Sequence, residues 1–231
     1  MAKIGLKYPV CAPYIENGDV VSYGVGAVVA KAVSANVSIT SNDVKFYADD
    51  GVAETDKSFS EGTITFEGDD LTDAMRVALL AYIEGDVVDS AIGSKELSAT
   101  GDGYQPYVGF GFYGKVKRNN VTYFRAIWLK KVQFSEPNDE LTTKGQNVEF
   151  KSTTIEGTIM LAADGKWKEE ALFSAEAKAK AWLDGKCGLA SKVLPITSSV
   201  ASGTYADAQS VALSCATDGA SIYYTTDGTI P

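Results

Sequence analysis

Apolar and polar residues alternate over much of this chain, and a period of two is that of strands with one buried face. The alternation is clearest over 131–160, where two such runs flank a polar turn region. Val132 and Phe134 share one face and Gln133 and Ser135 the other; past 137–146 the pattern resumes with Val148, Glu149, Phe150 and Lys151. A long charged projection costs conformational entropy to order, so this stretch predicts an arm that contacts something.

The same reading extends along the chain. Residues 20–39 are small and β-branched, and Gly24 and Gly26 within them predict a strand that bends or is closely approached by another backbone. A strand at 43–47, an Asp49-Asp50-Gly51 turn, and renewed alternation at Phe59 and 63–66 predict a long hairpin over 42–66, a second arm with an acidic loop. Leu71, Met75, Ala78, Leu79 and Tyr82 then change the period to that of a helix. The spacing predicts a helix over 71–84, capped by Asp70 and ended by Gly85, covering one sheet face. Strands are expected at 107–117, 122–134 and 148–160. Near the end, Ser174 opens a short helix with the stripe Ala175, Ala179, Trp182 and Leu183, closed by Gly185. From Pro195 onward Ser, Thr, Ala and Gly dominate, with short strands expected at 211–215 and 222–225. The order of elements is mainly β with one packed helix, and the shift near 190 divides the chain into 1–190 and 191–231.

Composition narrows the function. The 231 residues suffice to bury a proper core, and a net charge of −9 disfavours nucleic-acid binding, which needs Lys and Arg to displace counterions. The three cysteines, Cys11, Cys187 and Cys215, are odd in number and far apart, which predicts buried thiols in a reducing compartment. The N-terminus reaches Pro9 and Pro13 before any apolar run of signal-peptide length, and 23–33 falls short of the ~20 residues that span a bilayer. The expectation is synthesis and folding in the cytoplasm.

Candidate chemistry is sparse. There is no histidine, which removes the commonest general base, the Ser-His and Cys-His systems and most zinc sites. Gly109 to Gly114 spell G-x-G-x-x-G, but strand and turn residues follow where a dinucleotide site needs a helix; glycines that admit close aromatic neighbours are the expectation. Asp49 with Asp50, Asp69 with Asp70 and Glu169 with Glu170 are adjacent pairs, whereas glycoside hydrolysis needs two carboxyls across a cleft. Asp218-Gly219 and Asp227-Gly228 lack calcium-loop spacing. Lys115, Lys117, Arg118, Lys130 and Lys131 interleave with Tyr113, Tyr123 and Trp128; such a face could bind a single strand or a sugar, though core aromatics under a solvated strand face are the commoner arrangement. No catalytic, cofactor-binding or metal-binding residue is expected, and the chain does not read as an enzyme.

Several blocks together resemble a known family. Met1-Ala2-Lys3-Ile4-Gly5-Leu6-Lys7-Tyr8-Pro9, Phe46-Tyr47-Ala48-Asp49-Asp50 and Gly62-Thr63-Ile64-Thr65 are similar to the major tail proteins of long-tailed, non-contractile phages of Gram-positive bacteria. Phe134-Ser135-Glu136-Pro137, Thr143-Lys144-Gly145 and Thr154-Ile155-Glu156-Gly157-Thr158-Ile159 resemble that family's second hairpin, and Trp167 with Ala179, Trp182 and Leu183 its closing helix. The resemblance covers about residues 1–190. It implies a tail-tube β-sandwich or barrel with one packed helix and projecting hairpin loops, in a virion protein made in the host cytoplasm. It further implies hexameric rings that stack into a tube through which DNA passes without specific binding. The partners implied are other copies of the chain, a tape measure protein and tail terminator or distal tail proteins, with no membrane. On the arms, Tyr47, Asp49, Asp50, Glu54 and Phe59, with Pro137, Asp139, Glu140 and Lys144, are the expected inter-subunit contacts. Separately, Gly203-Thr204-Tyr205 and 222–231 resemble the immunoglobulin-like repeat at the C-terminus of chitobiase-type enzymes, here a partial copy that ends early. That repeat, with Tyr223 and Tyr224, leaves a carbohydrate-binding or adhesive β-module as the alternative.

Overall fold

The computed structural model describes residues 2–48, 51–101, 104–138, 152–189, 196–215 and 222–226. The chain forms two compact units, Met1–Leu189 and Ala190–Pro231. In the first, the strands run β1 (Ala2–Asn17), β2 (Val20–Tyr23), β3 (Ala27–Val28), β4 (Ala32–Ser41), β5 (Val44–Ala48), β6 (Gly51–Asp56) and β7 (Phe59–Gly68). Helix α1 (Asp73–Leu80) precedes β8 (Ile83–Asp89), β9 (Ser94–Ser98), β10 (Tyr107–Arg118), β11 (Val121–Phe134), β12 (Thr153–Met160), β13 (Lys168–Phe173) and helix α2 (Glu176–Lys186). The second unit contributes β14 (Thr197–Ser198) and β15 (Leu213–Ser214), which pair with each other.

A nine-stranded antiparallel sheet in the order β2-β1-β10-β11-β12-β7-β4, with β3 on β1 and β13 on β11, makes the body of the first unit. Strand β11 is where it divides. Its residues 124–129 pair with β13, while Lys131 to Phe134 pair with β12. The two layers so produced face each other: Phe66 of β7 meets Phe110 of β10 edge-on at 5.4 Å, and Ile64, Ile155 and Ile159 join Val108, Leu129 and Val132 in one core. Leu71, Met75, Leu79 and Leu80 of the α1 segment complete this core. Helix α2 covers the outer side of the sheet, where Ala179 and Leu183 pack with Val10, Ala12, Ala126 and Trp128.

Alternation accounts for the long strands. On β10 the side chains of Val108, Phe110 and Phe112 enter the core, and Gly109, Gly111 and Tyr113 lie on the opposite side. A register shift between the Val108–Val132 and Phe110–Leu129 pairs reverses the parity of β11, so that Leu129 and Val132, three positions apart, both face the core. Val132 and Phe134 are buried and Gln133 and Ser135 are not, as the pattern predicts; Val148 to Lys151 lie outside the described residues.

Several expectations change. The sixteen-residue strand β1 lies centrally, although Gly5, Pro9 and Pro13 interrupt its text. Its register slips between Ile4 and Leu6 and between Lys7 and Val10, and Tyr8 sits at φ 57, so the proline is held in an irregular stretch of a central strand. The expected 42–66 hairpin is the outer part of a longer ribbon, in which β4 pairs with β7 from Ala32–Gly68 to Ser41–Phe59 and β5 pairs with β6 at its end. Helix α1 stops at Leu80, earlier than Gly85, because Ala81 turns left-handed at φ 58; Thr72, with no capping side-chain bond, takes the N-cap position instead of Asp70. Ala175 likewise replaces Ser174 at the start of α2, and Gly185 falls inside that helix, with Cys187 at its C-cap and Gly188 at φ 65 beyond. Residues 222–225 form no strand, and Asp218-Gly219 lies outside the described residues.

Candidate assembly surface

Two hairpins leave the body of the first unit, and each is a two-stranded sheet of its own: β5–β6 and β8–β9. A lone two-stranded hairpin is marginal in water, so its persistence needs a further contact. The β8–β9 hairpin went unread in the sequence. Every residue of β8 is exposed, and Val88 and Ile92 show 66% and 78% of their surface. Its turn is fixed by Asp89, whose Oδ1 accepts from Ala91 N–H at 2.9 Å, and by Gly93 at φ 70; its legs are tied by the Lys95–Glu84 ion pair. At its base, Tyr82 Oη donates to Glu136 Oε1 at 2.5 Å, and that carboxylate pushes the phenol's pKa up. Since Glu136 follows β11, the hairpin and the segment beyond Phe134 are rooted side by side.

The expected contact residues divide. Glu54 is exposed on β6, opposite Phe46. Tyr47 pairs with Val52 in β5, though its side chain, like Asp49, Asp50, Asp139, Glu140 and Lys144 entirely, lies outside the described residues. Phe59 and Pro137 turn toward their own subunit: Phe59 stacks on Trp167 at 4.8 Å and 7°, and Pro137 is buried.

The basic and aromatic cluster around β10 and β11 is not one face. Trp128 is fully buried under α2, and Lys130, 5% exposed, is held by Asp164 and by Glu169 at 3.5 Å. Glu169 also pairs with Lys186 of α2. Burial pushes the Glu169 carboxyl up, but Lys186 and Lys130 together hold it below its ordinary range, and Asp164 is depressed in the same way by Lys130 against its own desolvation. Lys131 lies over Tyr107 at 4.4 Å and Tyr14 at 4.8 Å. A second set of contacts fastens α2 at its other end: Tyr113 Oη donates to Glu176 at 2.7 Å, Lys7 to Glu176 at 3.1 Å, and Tyr8 Oη to Asp184 at 2.7 Å. The hydrogen bonds from Tyr113 and Lys7 hold the Glu176 carboxyl low. These polar groups hold a helix on a sheet.

The glycine motif packs as expected of a strand. A Cβ on Gly109 would lie 2.2 Å from Trp128 Cζ2, and one on Gly111 would lie 2.5 Å from Trp128 Cε3. The adjacent carboxylates separate: Asp69 Oδ1 accepts from the Lys31 and Asp70 N–H groups, while Glu169 faces Lys130 and Glu170 faces Arg125 at 3.8 Å. Cys11 and Cys187 are buried and free, with burial pushing the Cys11 thiol up to about 12; Cys215 is half-buried. Among the described residues no group of His, Cys, Asp and Glu could hold a metal ion, and no helix is long and apolar enough to cross a membrane.

In the second unit Tyr205, Tyr223 and Tyr224 are exposed, the last two by 75% and 71%. Residues 200–231 match the model of the chitobiase/beta-hexosaminidase C-terminal domain. The second unit thus carries a partial immunoglobulin-like stretch similar to that domain. No curated protein matches the chain.

Proposed function

We propose that the chain is the major tail tube subunit of a long non-contractile-tailed phage, a structural virion protein that assembles with copies of itself into stacked, hexameric rings that conduct DNA during ejection. The observation that carries this reading is a pair of hairpins that, among the described residues, pair with no other strand, on a sheet body whose ends β4 and β2 are strand edges among those residues. Exposed edges and apolar projections invite pairing, and closure into a ring removes them from solvent. The ordered blocks over 1–190 support the same reading. Tape measure and terminator or distal tail proteins are the further partners it entails. The net charge of −9 suits a conduit, since carboxylates facing a lumen repel the phosphates that slide past.

Negative-stain microscopy of the purified full chain tests the proposal. Tubes or stacked rings are the expected result, and monodisperse monomers at every concentration overturn it. The match over 200–231 and the exposed Tyr223 and Tyr224 favour a second reading, a carbohydrate-binding or adhesive module. Retention on chitin or cell-wall glycan without polymerisation would select it.

A further inference from the structure

The β8–β9 hairpin has its chemical complement on another part of the same chain. A cavity of about 300 Å³ opens where β4 and the start of β1 stand beside β10 and β11. Leu6, Val37, Phe112 and Ile127 supply its apolar lining, and the ionisable residues that line it, Lys115 and Arg125, are both cations. Glu170 lies 3.8 Å from Arg125, and Lys115 bears on Glu176, yet neither carboxylate lines the cavity. The hairpin presents the opposite character: Val87, Val88 and Ile92 exposed at or near its tip, with Glu84, Asp86, Asp89 and Glu96 against a single Lys95.

We propose that the β8–β9 hairpin of one copy inserts Ile92 and its valines into the β1–β4–β10–β11 cavity of the next copy, with its acidic flanks against Lys115 and Arg125. This rests on the self-assembly reading and names the contact that carries it. A second copy is the occupant because both halves of the contact lie on one chain, and because no hairpin residue lines the cavity within a subunit. A contact between two different patches is head-to-tail, so it propagates into a ring or a filament instead of stopping at a dimer. Opposite charge at the rim sets the register and the rate of encounter, while the apolar tip, withdrawn from water, supplies affinity.

The test uses charge reversal in the full chain. Asp86→Lys with Glu96→Lys reverses the hairpin, and Lys115→Glu with Arg125→Glu reverses the cavity. Each protein alone is expected to need at least a tenfold higher concentration to assemble, by sedimentation and microscopy. Mixed in equal amounts the two should assemble again, because every hairpin then finds a cavity of opposite sign. Since Arg125→Glu faces Glu170 and could unsettle the fold, Ile92→Asp, in an exposed turn, is the second variant and should show the same tenfold loss with an unchanged melting curve. Should the wild type assemble and the hairpin variants assemble equally well, the docking falls and the tube reading stands. Impaired variants that stay apart on mixing would also overturn it, since the hairpin would then have another target. A wild type that never assembles removes both proposals together.

Discussion

Replacing Gly109 by alanine places one methyl group where β10 has no room for it. The new Cβ would lie 2.2 Å from Trp128 Cζ2 and 2.5 Å from Tyr23 Cε1. Carbon atoms settle at roughly 3.5–4.0 Å, so the indole must withdraw by roughly 1.3 Å or more. Neither ring is free to do so. Trp128 is fully buried in the cluster beneath α2, and Tyr23 stands edge-on to it at 5.0 Å with its Oη donating to the Lys130 carbonyl at 3.0 Å. Overpacking of this kind costs about 1–3 kcal/mol, or about 3–9 °C in Tm at roughly 3 °C per kcal/mol for a unit of this size. Gly185→Ala supplies the opposite sign, because that Cβ meets nothing within 4 Å and lies in α2; it should gain about 0.5–1 kcal/mol. Urea unfolding followed by tryptophan fluorescence reads both, since Trp128, Trp167 and Trp182 all belong to the first unit and report on it alone. An unchanged midpoint for Gly109→Ala at an unchanged slope would refute the packing account of the glycine motif.

Lys130→Met leaves Asp164 and Glu169 without their buried cation and should destabilise the first unit by about 3–5 kcal/mol at pH 7 in denaturant titration. Both carboxyls are held below their ordinary values of 3.8 and 4.5, so their stabilising contribution is complete above pH 4.5 and lost as the pH falls through the depressed values. The gap between wild type and Lys130→Met should therefore shrink in acid, and a gap constant from pH 7 to pH 3 would contradict the ion cluster. A double-mutant cycle on Phe59→Ala and Trp167→Ala should return a coupling of about 0.5–1.5 kcal/mol from their stacked rings. Additive losses would show that Phe59 faces outward in solution.

What was legible in the sequence was whatever depends on neighbours a few residues apart. The alternation of Val108, Phe110 and Phe112, or of Ile155 and Ile159, follows from a pleat with one buried side, and the Leu71, Met75, Leu79 stripe from a helix laid on that side. That Gly109 and Gly111 admit a close aromatic neighbour was legible too, since a strand reading leaves those glycines a packing role, but that the neighbour is Trp128 was not. Strand β1 was not, because Gly5, Pro9 and Pro13 erase its period; β10 on one side, and β2, β3 and Val29 N–H, which donates to the Pro9 carbonyl at 2.9 Å, on the other hold it extended. The end of α1 was misplaced because the apolar spacing runs on through Tyr82, while the chain turns at Ala81 so that Tyr82 can reach Glu136.

The sequence by itself determined a mainly β body, the strands β10, β11 and β12 and the faces they bury, because side-chain alternation is local and the hydrophobic effect acts on it directly. Only the tertiary structure decided which charged and apolar residues break that rule. Lys130 is inside because Asp164 and Glu169, far along the chain, arrive to neutralise it, and Val88 and Ile92 are outside because no other strand among the described residues pairs with their hairpin. The segment after Phe134, marked in the sequence by the alternation over 131–160, thus shares its root with the β8–β9 hairpin, whose adjacent valines gave no period to read. Long-range contact fixes both outcomes, and contact of that kind has no signature in a window of neighbouring residues.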